Sequence, residues 1–137
     1  MLGSEVIKLE IPSSPRYVRV ARKVLEGIAA SMSLTEQQID DLKLAVGEAC
    51  TNAVKFSTTS ACTVCIEYEV TPGRLRIVIR NSSEGFDPKR LNHAKPKIEN
   101  LPVGGLGIYV IEQCVDELDI TTEDGQTVLT MTKRLSE

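Results

Sequence analysis

The sequence predicts an α+β fold in which a mixed, mostly antiparallel sheet carries three helices on one face. Three observations support this prediction: five segments alternate like strands, three show helical spacing, and most predicted strands follow one another as hairpins. Because alternating strands supply only one apolar face, all three helices must cover the same face. We therefore expect a two-layer α/β sandwich, not a doubly wound fold, with residues 1–137 forming a single domain.

The chain is predicted to begin with one strand and one helix. In EVIKLEI (residues 5–11), apolar residues alternate with charged ones, which is typical of a strand. Ser14 is a suitable N-cap and Pro15 a suitable first helical residue. The apolar residues that follow recur at helical spacing, so this helix should run to about Met32.

A capping box over residues 35–38 predicts a second helix that runs to about Phe56. Glu48 and Asn52 lie four residues apart on this helix, so both side chains project from one face. The apolar stripe lies far from them on a helical wheel that turns ~100° per residue. The pair is therefore either solvated helix surface or a site that binds a metal and moves a proton.

Two further strands, CTVCIEYEV (62–70) and RLRIVIR (74–80), are predicted to form a hairpin. Their connection, residues 71–74, contains proline followed by glycine, which favours a type II turn. Residues 81–102 show no periodicity, and a loop of this length is usually a lid or a binding loop.

The segment GGLGIYVIEQCV is predicted to open a third helix over about residues 108–115. Glycines before a helix allow a ligand to approach the backbone, and the helix N-terminus offers N–H donors to an anion. Either a phosphate site or a tight loop-to-helix turn explains them. A final hairpin should pair strands near 117–122 and 127–134 through a turn at Asp124 and Gly125.

Charge and composition favour a protein that contacts neither nucleic acid nor membrane. The net charge is -3, whereas nucleic acid calls for a basic face. The basic stretch RYVRVARK (16–23) is an exception, and it is either solvated helix surface or a partner-binding patch. No apolar run approaches the ~20 residues that span a bilayer. The N-terminus alternates charged and apolar residues unlike a signal peptide, so we expect a cytoplasmic location.

Four sequence blocks carry a resemblance to a known family. EACTNAVKFS resembles the N-box of the GHKL (histidine kinase-like, Bergerat fold) ATPases, and IVIRNSSEGFDP stands where their first glycine box lies. GGLGIYVIEQCVDEL is similar to the second glycine box, and TVLTMTK to the threonine-bearing last strand. GFDP and LGIYVIEQCVDEL are particularly similar to the anti-sigma-factor serine/threonine kinases. These partner-switching regulators of bacterial transcription share the histidine kinase-like ATPase fold.

The resemblance implies an ATP-dependent protein kinase that uses Mg²⁺. Asn52 would hold the magnesium ion, and Glu48 would act as the base toward a serine hydroxyl of the substrate protein. The implied partners are a sigma factor and an anti-anti-sigma (STAS-type) protein, with homodimerisation through the first strand as a further expectation. The nucleotide-binding residues implied are Asn52, Lys55, Asn81, Gly85, Gly104, Gly105, Gly107 and Thr127.

The first glycine box departs from the Asp-x-Gly-x-Gly pattern of the family, since this chain has Asn81-Ser-Ser83-Glu-Gly85. Asn81 can still offer a carbonyl oxygen to the adenine amino group, but it lacks the charge of aspartate, which costs on the order of 1 kcal/mol. Two hypotheses therefore stay open. The first is the kinase, and the second is a partner-binding regulator that binds nucleotide weakly or not at all.

Overall fold

A computed structural model describes residues 3–55, 62–82, 104–123 and 126–135. In this part of the chain, the strands are β1 (Glu5–Pro12), β2 (Thr63–Thr71), β3 (Arg74–Ser82), β4 (Glu117–Glu123) and β5 (Gln126–Arg134). The helices are α1 (Val18–Ala29), α2 (Glu36–Lys55) and α3 (Gly104–Cys114), and a 3₁₀ turn (Pro15–Tyr17) precedes α1. The predicted α+β sandwich is confirmed.

The five described strands form one sheet in the order β1-β2-β3-β5-β4. Each neighbouring pair is antiparallel, so the parallel pairing implied by a mixed sheet is not found among them. The reason is the position of β5, which lies between β3 and β4 and runs opposite to both. The first strand lies at one edge, as predicted, and β4 lies at the other.

One face of the sheet is apolar and carries the helices. Tyr68 on β2 is fully buried on this face, and its hydroxyl donates to the carbonyl oxygen of Ala21 at 2.7 Å, which ties α1 to the sheet. Burial raises the pKa of Tyr68, so its hydroxyl stays protonated as a donor. The largest buried side chains around it are Leu25, Leu42, Ile66, Leu75, Ile77, Ile79, Ile108, Ile111 and Met131.

The opposite face is charged and open. Arg76 pairs with Glu69 on the neighbouring strand at 3.7 Å, and Arg80 pairs with Glu123 at the same distance. Such exposed pairs contribute little stability, typically about 0–1 kcal/mol. Their effect is to keep this face polar, so the sheet buries only one side. In the described ranges, no helix is long and apolar enough to cross a membrane.

The start of α2 confirms the predicted capping box. The Gln38 backbone N–H donates to Thr35 Oγ1 at 3.1 Å, and the Thr35 N–H donates to Gln38 Oε1 at 2.9 Å. The start of the first helix differs from the prediction. Ser14 has the extended backbone of an N-cap, but its side chain makes no capping hydrogen bond, and Pro15 opens a 3₁₀ turn before α1. That helix ends at Ala29, short of Met32.

Two other predictions are wrong in detail. Gly73 lacks the positive φ that a type II turn requires, so the connection between β2 and β3 is of another type. The strand β3 also continues to Ser82, so the predicted loop loses its first two residues, and α3 begins at Gly104 instead of near 108. Phe56, the turn at Asp124 and the remainder of the long loop lie outside the described residues.

Candidate active site

The first turns of α3 lie directly on the Glu48–Asn52 pair of α2. Gly107 is buried there, and a Cβ atom added to it would lie 2.9 Å from Glu48 Oε1 and 3.5 Å from Asn52 Nδ2. Asn52 is only 7% exposed, and Glu48 is half-buried. The interpretation as ordinary solvated helix surface is therefore wrong, because α3 covers both side chains. The close contact of Gly107 with this pair also explains why a glycine lies in the helix, because the packing outweighs the poor helix propensity of glycine.

Asn52 carries a buried polar atom that no described residue satisfies. Its Nδ2 atom makes no hydrogen bond within the described residues. An unsatisfied buried amide costs about 1–3 kcal/mol, so native proteins rarely keep one without a ligand or water to bond it. The atom lies at the junction of α2 and α3, beside Gly107, where a ligand that reaches this junction would meet it.

A cavity of about 380 Å³, counted with the part that opens to solvent, adjoins this junction. Its wall is mostly apolar and is built from both helices and the sheet, with Ala49, Ala53, Ile79, Ile108, Ile120 and Leu129. Three polar residues also line it: Asn52, Asn81 and Thr127. An apolar slot with a few polar groups suits a flat aromatic ring whose edge carries hydrogen-bonding atoms. The lining of the cavity is therefore of the kind that binds a nucleobase, and Asn52 is part of its wall.

Asn81 is held in place by the end of α2. Its Nδ2 atom donates to the carbonyl oxygen of Ala53 at 3.0 Å. Because the carboxamide is planar, this bond turns Oδ1 away from the Ala53 carbonyl. An aspartate at this position has no proton to donate at neutral pH and would set two oxygens against each other. The asparagine therefore has a structural reason here that the sequence did not reveal.

The other predicted nucleotide residues lie at varied distances from the cavity. Thr127 on β5 is half-buried and lines it. Gly104 and Gly105 are the first two residues of α3, within one helical turn of Gly107 at the junction. Lys55 is the exposed last residue of α2 and does not line the cavity. Gly85 lies outside the described residues.

The residues available for proton transfer at the junction are carboxylic, not thiol. Cys50 lies between Glu48 and Asn52 in sequence, but it is fully buried on another side of α2. Burial raises the pKa of the Cys50 thiol to about 12, more than the nearby Arg22 lowers it. Since a thiolate is the reactive form, Cys50 is inert at neutral pH. Cys50 is therefore unsuited to act as a base, and Glu48 stays the predicted one.

The basic stretch of α1 lines a groove with α2. Arg19, Arg22 and Lys23 face Lys43 and Leu44 across it. Glu26 accepts from Lys43 at 2.5 Å and from Lys23 at 3.4 Å, and these hydrogen bonds hold its pKa below the usual value. The three cations of α1 are exposed in this groove, as expected both for solvated helix surface and for a partner-binding patch.

Comparisons with known proteins agree with the sequence blocks. The family described as histidine kinase-like ATPase domain matches residues 11–133. The serine-protein kinase RsbW of Bacillus velezensis is 34% identical, covering 96% of this chain and 87% of that protein. The serine-protein kinase RsbW of Bacillus licheniformis is 36% identical, covering 98% of this chain and 88% of that protein. RsbW of Bacillus subtilis strain 168 is 34% identical with the same coverage.

A solved structure supports the fold independently. The crystal structure of the RsbU and RsbW domains of Rv1364c from Mycobacterium tuberculosis superimposes with a TM-score of 0.67. The match covers 97% of this chain and 33% of that longer chain, at 20% sequence identity. At this identity the likeness concerns the fold, in which the cavity and the α2–α3 junction are built.

Proposed function

The chain belongs to the histidine kinase-like ATPases, in the family of the serine-protein kinases RsbW, and from this membership we propose its reaction and its partners. It is an ATP-dependent kinase and anti-sigma factor. Its proposed substrate is a serine of an anti-anti-sigma (STAS-type) protein, and its proposed second partner is a sigma factor. Binding the two in alternation would make phosphorylation a switch of transcription.

The observation that carries this proposal is the buried amide of Asn52 beside Glu48, which has no hydrogen-bond partner in the described part of the chain. The pair lies under the first turn of α3, and Asn52 also lines the apolar cavity. A buried amide needs a bonding partner, and a half-buried carboxylate one helical turn away can take a proton. ATP has a flat base that suits the apolar cavity, and its phosphate oxygens can accept a hydrogen bond from the Asn52 amide.

The proposed mechanism assigns one step to each group. The serine Oγ forms a bond to the γ-phosphorus while the bond from that phosphorus to the β–γ bridging oxygen breaks, and ADP leaves with the electron pair. Glu48 accepts the hydroxyl proton as the new bond forms. Free N–H groups in the first turn of α3 would face the phosphates, because a helix N-terminus favours anions. Such transfer depends mainly on positioning and charge neutralisation.

Magnesium fits the residues present, with Asn52 as its protein ligand. A carboxamide oxygen is a hard donor of the kind that magnesium prefers, and this ion typically keeps water and phosphate oxygens as its remaining ligands. When bound, it would neutralise charge on the transferred phosphoryl group. The role of Asn52 is to hold that ligand atom in the buried junction, and its position under Gly107 excludes bulk water there.

Asn81 and Thr127, which also line the cavity, would bind the adenine. Asn81 has Nδ2 bonded to the Ala53 carbonyl, so its Oδ1 is the atom suited to accept from the adenine amino group. Thr127 on β5 offers a hydroxyl on the cavity wall. Lys55, Gly85, Gly104 and Gly105 complete the proposed nucleotide contacts, the lysine through a phosphate and the glycines through their backbone.

A homodimer through β1 is part of the same proposal. β1 is an edge strand of the sheet, and Val6 and Ile7 on it are 48% and 38% exposed. An edge strand with exposed apolar residues offers both backbone hydrogen bonds and apolar area to a second copy. Sedimentation of the wild type and of Val6→Lys tests it: the variant should be monomeric at concentrations where the wild type is dimeric.

The second candidate is a regulator that binds its partners without nucleotide, and Asn81 is the observation that favours it. The family's aspartate would contribute a charge-assisted hydrogen bond to adenine that Asn81 cannot. Calorimetric titration with ATP and ADP, with and without magnesium, separates the two candidates. Micromolar binding that depends on magnesium, together with transfer of labelled phosphate to a serine of the anti-anti-sigma protein, supports the kinase. Sigma-factor binding without detectable nucleotide binding would support the regulator.

A further inference from the structure

Two contacts, one at each end of α3, fix its position along α2. At one end Gly107 lies on Glu48, and at the other Lys133 of β5 joins Cys114 of α3 to Asp41 of α2. Both contacts are separated by seven residues on each helix. Since α2 and α3 both rise ~1.5 Å per residue, the two contacts are ~10 Å apart along each axis. The helices therefore pack antiparallel with matching registers at both ends.

Lys133 is the centre of the distant contact. Its Nζ atom donates to the Cys114 carbonyl oxygen at 3.0 Å and lies 3.9 Å from Asp41 Oδ2, and its side chain is only 11% exposed. Asp41 is oriented by Gln37, whose Nε2 donates to Asp41 Oδ1 at 2.9 Å. The ammonium group thus bonds one of the last carbonyl groups of α3, where the helix dipole favours a cation.

We propose that Lys133 is a positioning residue that sets the placement of α3 over the Glu48–Asn52 pair. A helix transmits a displacement along its axis, so a shift at Cys114 becomes an equal shift at Gly107. The glycine has only enough space for its own backbone above Glu48. A misplacement of ~1 Å at a reacting group can cost ~100-fold in rate, so the anchor at the far end controls the chemistry at the near end.

The amino-acid sequence supports a specific role for this lysine. Lys133 and Arg134 are adjacent cations on β5 and point to opposite faces of the sheet. Arg134 pairs with Glu117 on the open face, where the two side chains are 60% and 57% exposed. Lys133 lies on the covered face, where burying a cation is unfavourable unless it is bonded. The pair of residues therefore offers a matched test and control.

The first test is hydrogen exchange on the apo protein, which needs no kinase activity. Lys133→Met should speed exchange of the amides of residues 108–114 by about tenfold, the loss expected for one charge-assisted hydrogen bond. Exchange in β2 and β3 should be unchanged. Lys133→Arg should restore protection, and Arg134→Met should exchange like the wild type. Unchanged exchange in α3, or equal acceleration in β2 and β3, would overturn the positioning role.

The second test measures phosphoryl transfer and rests on the proposed kinase function. Lys133→Met should lower kcat by roughly tenfold with KM for ATP within about twofold, because the cavity wall is mostly built by α2 and the sheet. Lys133→Arg should recover most of kcat. A variant that loses stability and whose KM for ATP changes as much as its kcat would contradict the proposal. If Lys133→Met does not fold, Asp41→Asn tests the same anchor by the same readouts. If the wild type transfers no phosphate, the proposed function fails while the exchange result still decides the anchor.

Discussion

Each end of the α2–α3 pair contains polar groups that are at least partly buried, and the two ends differ in whether those groups bond one another. At the distant end, the charges of Asp41 and Lys133 and the Cys114 carbonyl bond one another. At the near end, Asn52 is buried and Glu48 is half-buried, yet the Asn52 amide has no bonding partner among the described residues. The difference shows that burial alone does not mark a site. A polar cluster that satisfies itself holds the fold, and one that does not is suited to a ligand.

The largest expected effect is at Glu48. Replacing it with glutamine keeps the shape under Gly107 and removes the base, so phosphoryl transfer should fall by about 10²–10⁴-fold. ATP affinity should change little, because Glu48 does not line the cavity. Single-turnover transfer and calorimetric binding measure the two quantities. Transfer at the wild-type rate would remove Glu48 from the mechanism.

Gly107→Ala should come next. Its Cβ atom would lie 2.9 Å from Glu48 Oε1, the mobile end of a side chain, so Glu48 is expected to turn aside. We expect a loss of ~10–100-fold in kcat from the displaced carboxylate. The free energy of unfolding should stay within about 1 kcal/mol, since alanine is the better helix former. Chemical denaturation provides the control, and a stable variant with full activity would contradict the close packing.

Asn52→Ala and Asp41→Ala test the contrast between the ends directly. The first should weaken magnesium-dependent ATP binding about tenfold, yet leave stability unchanged or higher by ~1 kcal/mol, because it removes an unsatisfied amide. The second should leave a buried cation without its partner and lower the free energy of unfolding by about 1–3 kcal/mol. Denaturant titrations of both variants measure these changes in the free energy of unfolding. A destabilised Asn52→Ala would mean that the near end is a structural cluster as well.

Asn81→Asp should have the smallest effect on ATP binding, and restoring the family's residue should not improve that binding. The family pattern alone suggests that aspartate improves adenine binding, whereas the Ala53 carbonyl would face the new carboxylate. We expect a loss of about 1–2 kcal/mol in stability and no gain in ATP affinity at neutral pH. Tighter binding by the variant would show that the adenine pocket of this chain is a weakened form of the family's.

Local features of the fold could be predicted from the sequence because they depend on neighbouring residues. The capping box at Thr35 and Gln38 needs only a spacing of three, and it is confirmed. The alternation in β2 and the helical stripe of α1 likewise identify their buried faces, Ile66 and Leu25 among them. The family of the chain was also predicted, from motifs that span most of its length.

The remaining features depend on contacts between distant residues. Nothing local indicates that β5 inserts between β3 and β4, because strand order is set by packing. The start of α3 was placed too late because glycine is a poor helix former, and only the contact of Gly107 with Glu48 explains it. The bond of Asn81 to Ala53 spans 28 positions, and Lys133 gave no sequence signal beyond its charge.

The strand order also bears on how the chain is made on the ribosome. Among the described strands, β4 pairs only with β5, and the side of β3 that faces away from β2 also pairs with β5. Synthesis therefore exposes an unpaired edge beside Ile77 and Ile79 until β5 emerges, and such an edge invites association with other nascent chains. Slow translation before β5 should therefore raise aggregation.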